Sequence, residues 1–253
     1  MTMAKEKIGI IPLGAYEYHG QHLPFETDAI IAEAFAQHLA QHCDIKNRLT
    51  AFPVETIGYS IEHMDEAKTQ SLKFDDAIHQ WINLGLKHFD NGYKKLLFLN
   101  AHGGNSALLN IVITELRCRL PILAVATSWG RFGLPDGLID DNERHLDIHA
   151  GFIETSLMLF LAKNKVDMTK AENFYNHQDD FIKKFHYLSA YGPQAFGWKM
   201  CDLNKKGAAG NASKATYEAG KKIFDHAIEG FQLLLSDMAQ FDLHHFDEHH
   251  SIN

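Results

Sequence analysis

A stretch without a charged side chain, Ile8 to Leu13, stops at Gly14, and Glu17, His19, His22 and Asp28 follow within one loop. The apolar stretch has the length and content of a buried strand, so the chemistry begins where the strand ends. Glu17 and His19 are two residues apart, and in an extended backbone their side chains leave the same face. Pro24 blocks a helix immediately upstream, while Thr27 or Asp28 is placed to cap a helix from about Ala29 to Leu39. Two carboxylates and an imidazole so arranged make a core for one or two divalent metals. Any of these residues taken singly fits a surface or capping role equally well. The constellation carries the argument.

Further along, Leu49 to Ile57 reads as a strand interrupted by Pro53, which predicts an edge or bent position. Ser60, Glu62 and His63 follow it as a site loop would. Helical spacing covers about Phe74 to Phe89, with Trp81 read as core. Lys94 to Asn100 is another apolar strand, leading into His102-Gly103-Gly104-Asn105 and a helix from about Ser106 to Arg119. Ligands bind at the carboxyl ends of strands in open parallel sheets, so Glu17, His19, Asp28 and His102 are expected to converge on one edge. Gly103 and Gly104 permit close approach of a ligand to the backbone, and with Ser60 they are the candidate substrate contacts. A tight turn or an anion cradle is the alternative for the glycine pair, although neither a P-loop lysine nor GxGxxG spacing is present.

Ile122 to Ser128 reads as a third buried strand. Beyond it, His149 and Glu154 flank Gly151 and can reach one pocket from the start of an apolar helix, Leu157 to Ala162; Asp147, Thr155 and Ser156 fit capping as well as catalysis. Residues 165–205 lack periodicity but carry many aromatics, which suits an irregular lobe that covers a site, builds a subunit contact or packs on the main domain. Ala212 to Leu235 is a long helix. With no repeat and no linker, residues 1–253 form one domain.

The formal net charge of −8 disfavours nucleic acid and anionic membranes as partners. No apolar run approaches the ~20 residues of a membrane span, and Met1 to Lys7 is too short and polar for a signal peptide, so the cytoplasm is the expected location. Cys43, Cys118 and Cys201 are read as reduced thiols. A tail from 244 to 253 contains His244, His245, His249 and His250, which can bind metal loosely or stand as a solvated end.

Three segments, Gly14 to Asp28, Asn100-Ala-His-Gly-Gly-Asn105 and Asp147-Ile-His-Ala-Gly…Glu154-Thr-Ser156, resemble the creatininase (creatinine amidohydrolase) family, in order and at matching separations. Gly58 to His63 and Gly207 to Gly210 add weaker support. The resemblance implies a three-layer α/β fold with a largely parallel central sheet, a divalent metal centre that is often binuclear (zinc, manganese or iron) and a homo-oligomer, commonly a ring-like hexamer. It further implies that Glu17 and His19 bind opposite metals, that Asp28 bridges them, that His102 completes one side, and that His149 transfers a proton. Gly104 stands where creatininase itself has a ligand glutamate, leaving the second metal to Glu154 or water; Glu154 can alternatively orient His149. Within Met64 to Thr69, Glu66-Ala67-Lys68 stands where relatives commonly read Phe-Pro-Gly, so the substrate residues of creatininase do not transfer. The expected function is metal-dependent hydrolysis of a C–N bond in a small cyclic amide or formamide by metal-activated water. The alternatives are a peptidase that matures a cofactor peptide and a non-catalytic protein binding metal or a small molecule.

Overall fold

The computed structural model describes residues 6–246. Of the His-rich end, the His245 side chain, His249 and His250 lie outside the described residues. Strand β1 (Ile8–Leu13) is buried throughout and occupies the middle of a parallel sheet. It is followed by helix α1 (Thr27–His42), β2 (Leu49–Ala51), α2 (Phe74–Asp90), β3 (Lys95–Asn100), α3 (Ser106–Arg119) and β4 (Leu123–Ser128). The sheet order is β2-β1-β3-β4. The chain leaves β1 in one direction and then crosses to β3 on its other side, so the strand order reverses between β1 and β3. That reversal is where an open α/β sheet leaves a crevice at its carboxyl edge.

The reversal also decides which face each helix covers. One core layer packs α1 on Ile8, Ile10, Leu97 and Leu99, together with two later helices, Phe152–Ala162 and Tyr217–Gln240. The other layer packs α2 and α3 on Ile11, Leu13, Leu96 and Phe98, with Trp81 fully buried. Alternate residues of β1 and β3 therefore feed opposite cores, as the pleat requires. Each fully buried Ile or Leu contributes about 1.5–3 kcal/mol of transfer free energy.

After β4 come α4 (Asp141–Leu146), α5 (Phe152–Ala162), β5 (Asn173–Phe174), α6 (Gln178–Lys184), α7 (Met200–Leu203), β6 (Gly210–Asn211) and α8 (Tyr217–Gln240). Residues 165–205 form a lobe of short elements with its own small core, in which Met200 and Leu203 pack with Ile148, Phe181, Tyr191, Phe196 and Trp198.

Four local expectations need correction. Neither Thr27 nor Asp28 caps α1; Glu26 occupies the cap position without a side-chain bond, Thr27 Oγ1 donates to Pro24 O at 2.7 Å, and Asp28 is left free to face inward. Strand β2 ends at Ala51, two residues before Pro53, and only a single bridge from Glu55 to Leu13 resumes the pairing. Strand β4 is half-buried rather than buried because it is the sheet's edge. Helix α5 begins at Phe152, five residues before the apolar run that marks it in the sequence.

Candidate metal centre

Register brings the site together. Leu13 pairs with Asn100, and Ala101 N donates to Leu13 O at 2.9 Å, so the loops leaving β1 and β3 start side by side. Asn105 ties them: its Nδ2 donates to Gly14 O at 3.1 Å and to Asn100 Oδ1 at 3.0 Å, while its Oδ1 accepts from Tyr59 N at 2.9 Å. Beyond Gly14 the chain keeps an extended alternation, with Ala15, Glu17 and His19 buried and Tyr16 and Tyr18 half-buried. The expected shared face of Glu17 and His19 is thus the inward one.

Against that face lie Asp28 from the first turn of α1, His102 from the turn after β3, and His149 and Glu154 from the start of α5. His19 Nε2 is 3.3 Å from Asp28 Oδ1, and His102 Nδ1 is 3.4 Å from Asp28 Oδ2 and 3.2 Å from Glu17 Oε1. The two oxygens of Asp28 therefore face different histidines. His149 Nδ1 lies 3.6 Å from Glu17 Oε1. Three groups each place their donor atoms within 4.8 Å of one another: Glu17, His19 and His149; Glu17, Glu62 and His102; and His19, Asp28 and Glu154.

Backbone carbonyls fix the imidazoles. The His19 Nδ1 proton goes to Glu17 O at 2.9 Å, the His102 Nε2 proton to Tyr59 O at 2.9 Å and the His149 Nε2 proton to Tyr18 O at 2.8 Å. A carbonyl can only accept, so in each ring that nitrogen carries a proton, and the other nitrogen, the one free to ligate when the ring is neutral, faces the cluster. Histidines that ligate metal are held in this way. His22 is different: its Nε2 meets Ala150 O at 3.1 Å and Thr155 Oγ1 at 3.0 Å, which anchors the segment between His149 and Glu154.

The electrostatics ask for a cation. Burial raises the Glu17 carboxyl, with the charge of Asp28 adding to it against His102, and burial lifts Glu154 to about 7. Burial works against a charged His19, yet the Asp28 carboxylate beside it holds the ring at about 9. His149 is pushed down to about 3 by burial and by the charge of His19. Glu17 Oε1 and Oε2, His19 Nε2 and Asp28 Oδ2 are buried and have no hydrogen-bond partner among the described residues. A buried polar atom without a partner is costly, and divalent metal held by these oxygens and nitrogens would remove that cost. The donor set fits zinc, manganese or iron.

Other expected residues fall in mixed places. Gly103 and Gly104 line the cavity of about 800 Å3 onto which the cluster opens. Ser60, expected to touch substrate, is fully buried behind His102 with its Oγ 3.3 Å from Nε2, and it does not line that cavity. Asp147 caps α5, accepting from Phe152 N at 2.6 Å and Ile153 N at 3.2 Å. Thr155 and Ser156 do not cap it: Thr155 Oγ1 bonds back to Ala150 O at 3.3 Å, and Ser156 Oγ accepts from Thr216 N at 3.2 Å. Sequence reading did not assign His63 to the cluster, although its Nε2 stands 3.5 Å from Glu17 Oε1. The signal was its place in the polar stretch after Ile57. Arg131, Tyr191 and Trp198 also line the cavity. Of these only the two aromatics, in the stretch rich in such residues, gave any hint.

Fold and donor set together define an α/β protein with a candidate centre for divalent metal. A family model described as creatininase, creatinine amidohydrolase, matches residues 1–235, and the chain belongs to that family. It is 27% identical over 229 residues to a mycofactocin precursor peptide peptidase from Mycobacterium ulcerans, covering 87% of this chain and 81% of that protein. A deformylase of 2-amino-5-formylamino-6-ribosylaminopyrimidin-4(3H)-one 5'-monophosphate from Methanococcus voltae is 31% identical over 104 residues, 40% of this chain and 36% of that one. A manganese creatininase superposes with a TM-score of 0.74 at 20% identity, covering 94% of this chain and 93% of its own, which is a likeness of fold.

Proposed function

We propose that the protein is a metal-dependent amidohydrolase that cleaves a C–N bond in a small formamide or cyclic amide. The observation that carries this reading is the set of buried, unpartnered oxygens and nitrogens of Glu17, His19 and Asp28 beside a cavity that His149 and Glu154 also line. Glu17, Asp28 and His102 would hold one metal, and His19, Asp28 and Glu154 the other, with Asp28 shared. Divalent metal bound there lowers the pKa of a water and polarises a carbonyl.

The side chains supply the rest. His149, anchored through Nε2 to Tyr18 O, presents Nδ1 to the centre. It can take a proton from the attacking water and deliver it to the departing nitrogen. The chain from Ala150 to Glu154 holds that geometry, because Ala150 N donates to Glu154 Oε2 at 2.5 Å and Ala150 adopts φ 51°. A left-handed non-glycine residue costs of order 1–3 kcal/mol and persists where its surroundings over-determine it.

A peptide substrate is the second reading. The mycobacterial peptidase likeness runs over most of both chains, whereas the deformylase likeness covers 40% of this one. A panel of formamides, cyclic amides and short peptides, tested with metal-loaded protein, separates the two. Asp28→Ala should lose metal and turnover together, whereas His149→Ala should keep metal and lose about 10²–10⁴-fold in kcat. Full metal content and rate in Asp28→Ala would overturn the arrangement.

A further inference from the structure

The cavity has a second chemical end. Ser106 opens α3, Ser128 closes β4, and Arg131 lies in the turn that follows it. All three line both the main cavity and an adjoining recess of about 210 Å3. Arg131 is the single lysine or arginine on the cavity wall among the described residues; it is exposed, and it has no hydrogen bond or ion pair there. Elsewhere on this surface basic side chains find carboxylates, as Lys199 does with Asp65 and Lys214 with Glu143.

The serines complement it. Asn100 Nδ2 donates one N–H to His102 O at 2.6 Å and shares the other between Ser106 Oγ and Ser128 Oγ, each at 3.3 Å, so the two hydroxyl oxygens serve there as long, shared acceptors. Neither hydroxyl donates to another group among the described residues. Their protons are therefore available as donors on the same wall as the guanidinium. A planar guanidinium fork and two O–H donors lining one recess are together suited to an oxyanion, which accepts from both.

We propose that Arg131, Ser106 and Ser128 form an anion subsite and that the substrate is an amide carrying a carboxylate or phosphate group. The inference rests on the amidohydrolase reading for the identity of the scissile bond, and on the cavity wall for the anion. Carboxylates of Glu17, Asp28, Glu62 and Glu154 also line the cavity, but they gather around the candidate metal centre, and Arg131 has no acid of its own. An anionic substrate would thus be oriented with its charged group on Arg131 and its amide toward His149.

The test uses metal-loaded protein and calorimetric binding of two matched pairs. One pair is N-formylglycine and N-formylglycinamide; the other is N-formyl-aminoethyl phosphate and N-formylethanolamine. The anionic member of at least one pair should bind about ten- to hundredfold more tightly than its neutral partner. Arg131→Gln should remove most of that preference while leaving the neutral member's affinity unchanged, and Arg131→Lys should be intermediate. A response confined to the carboxylate pair would point to an amino-acid or peptide terminus, and one confined to the phosphate pair to a phosphate ester. Equal affinities, or a preference that survives Arg131→Gln intact, would overturn the subsite. Hydrolysis of the same compounds is scored separately, so a retained anion preference without turnover would count against the amidohydrolase reading alone.

Discussion

Gly104 shows how one missing side chain shapes this centre. A Cβ there would come within 2.5 Å of His102 Nε2 and 2.7 Å of Glu62 Oε1, and it would also press on Tyr59 O. Tyr59 O is the carbonyl that fixes the tautomer of His102, so the glycine protects a hydrogen bond that aims a candidate ligand. Gly103 meets nothing within 4 Å. Gly104→Ala should therefore cost about 1–3 kcal/mol by overpacking and weaken metal binding, while Gly103→Ala should leave melting temperature and metal content close to wild type. Equal effects at the two positions, read by thermal melts and elemental analysis, would refute this account. At this scale the sequence was most legible where residues act as a set: the type and spacing of Glu17, His19, Asp28 and His102 pointed to the convergence that the fold displays. Arg131 was not legible, because a lone arginine after a strand has no spacing to betray it and only the folded wall shows that it lacks an acid.

Elements reveal which sequence signals were strong. The bounds of β1 and α3 match the reading from sequence because Gly14 stops the strand's apolar run, while the Gly-Gly-Asn turn and Pro121 bracket the helix. The start of α5 was hidden, since Phe152 to Ser156 mixes polar and apolar residues and its cap lies several residues upstream. Asp147 provides that cap with both carboxylate oxygens, and added Cβ atoms at Gly151 and Gly210 would collide with its carboxylate, so the element's start is packed around this one group. Burial lifts its pKa to about 7, yet the two N–H donors still need it as an acceptor. Asp147→Ala should cost about 1–2 kcal/mol of stability. Because α5 carries Glu154 and follows His149, the variant should also lose kcat more than it changes KM, with metal content kept. A fall in melting temperature with unchanged kcat would limit Asp147 to a capping role. The half-buried β4 teaches the complementary point: its apolar content reads as core, but strand order, which no local pattern encodes, makes it an edge.

At the scale of the whole molecule, the centre joins parts of the chain that meet only in the fold: the loop after β1, the start of α1, the turn after β3 and the start of α5. The parallel sheet was legible from apolar strands followed by polar loops and from the family resemblance, whereas its reversal between β1 and β3 was not, because strand order is written in no local pattern. That residues 165–205 reach the cavity, through Tyr191 and Trp198, was one of the alternatives their aromatic content left open, and a lobe of scattered aromatics without a period could not decide among them. No helix among the described residues is long and apolar enough to cross a membrane. Since the donors converge only in the native state, metal should bind the folded protein and scarcely the unfolded one, and its affinity should appear directly as stability. At metal a hundredfold above Kd the gain is about 2.7 kcal/mol. In a chain of this size each kcal/mol moves Tm by about 2–4 °C, so chelation should lower Tm by roughly 5–11 °C and added zinc or manganese should restore it. The shift should survive in a version ending before His244, which lacks the histidine tail, and should vanish in Asp28→Ala. Loss of the shift on truncation, or its persistence in Asp28→Ala, would place the bound metal outside the cluster and remove the physical basis for reading it as the reaction centre.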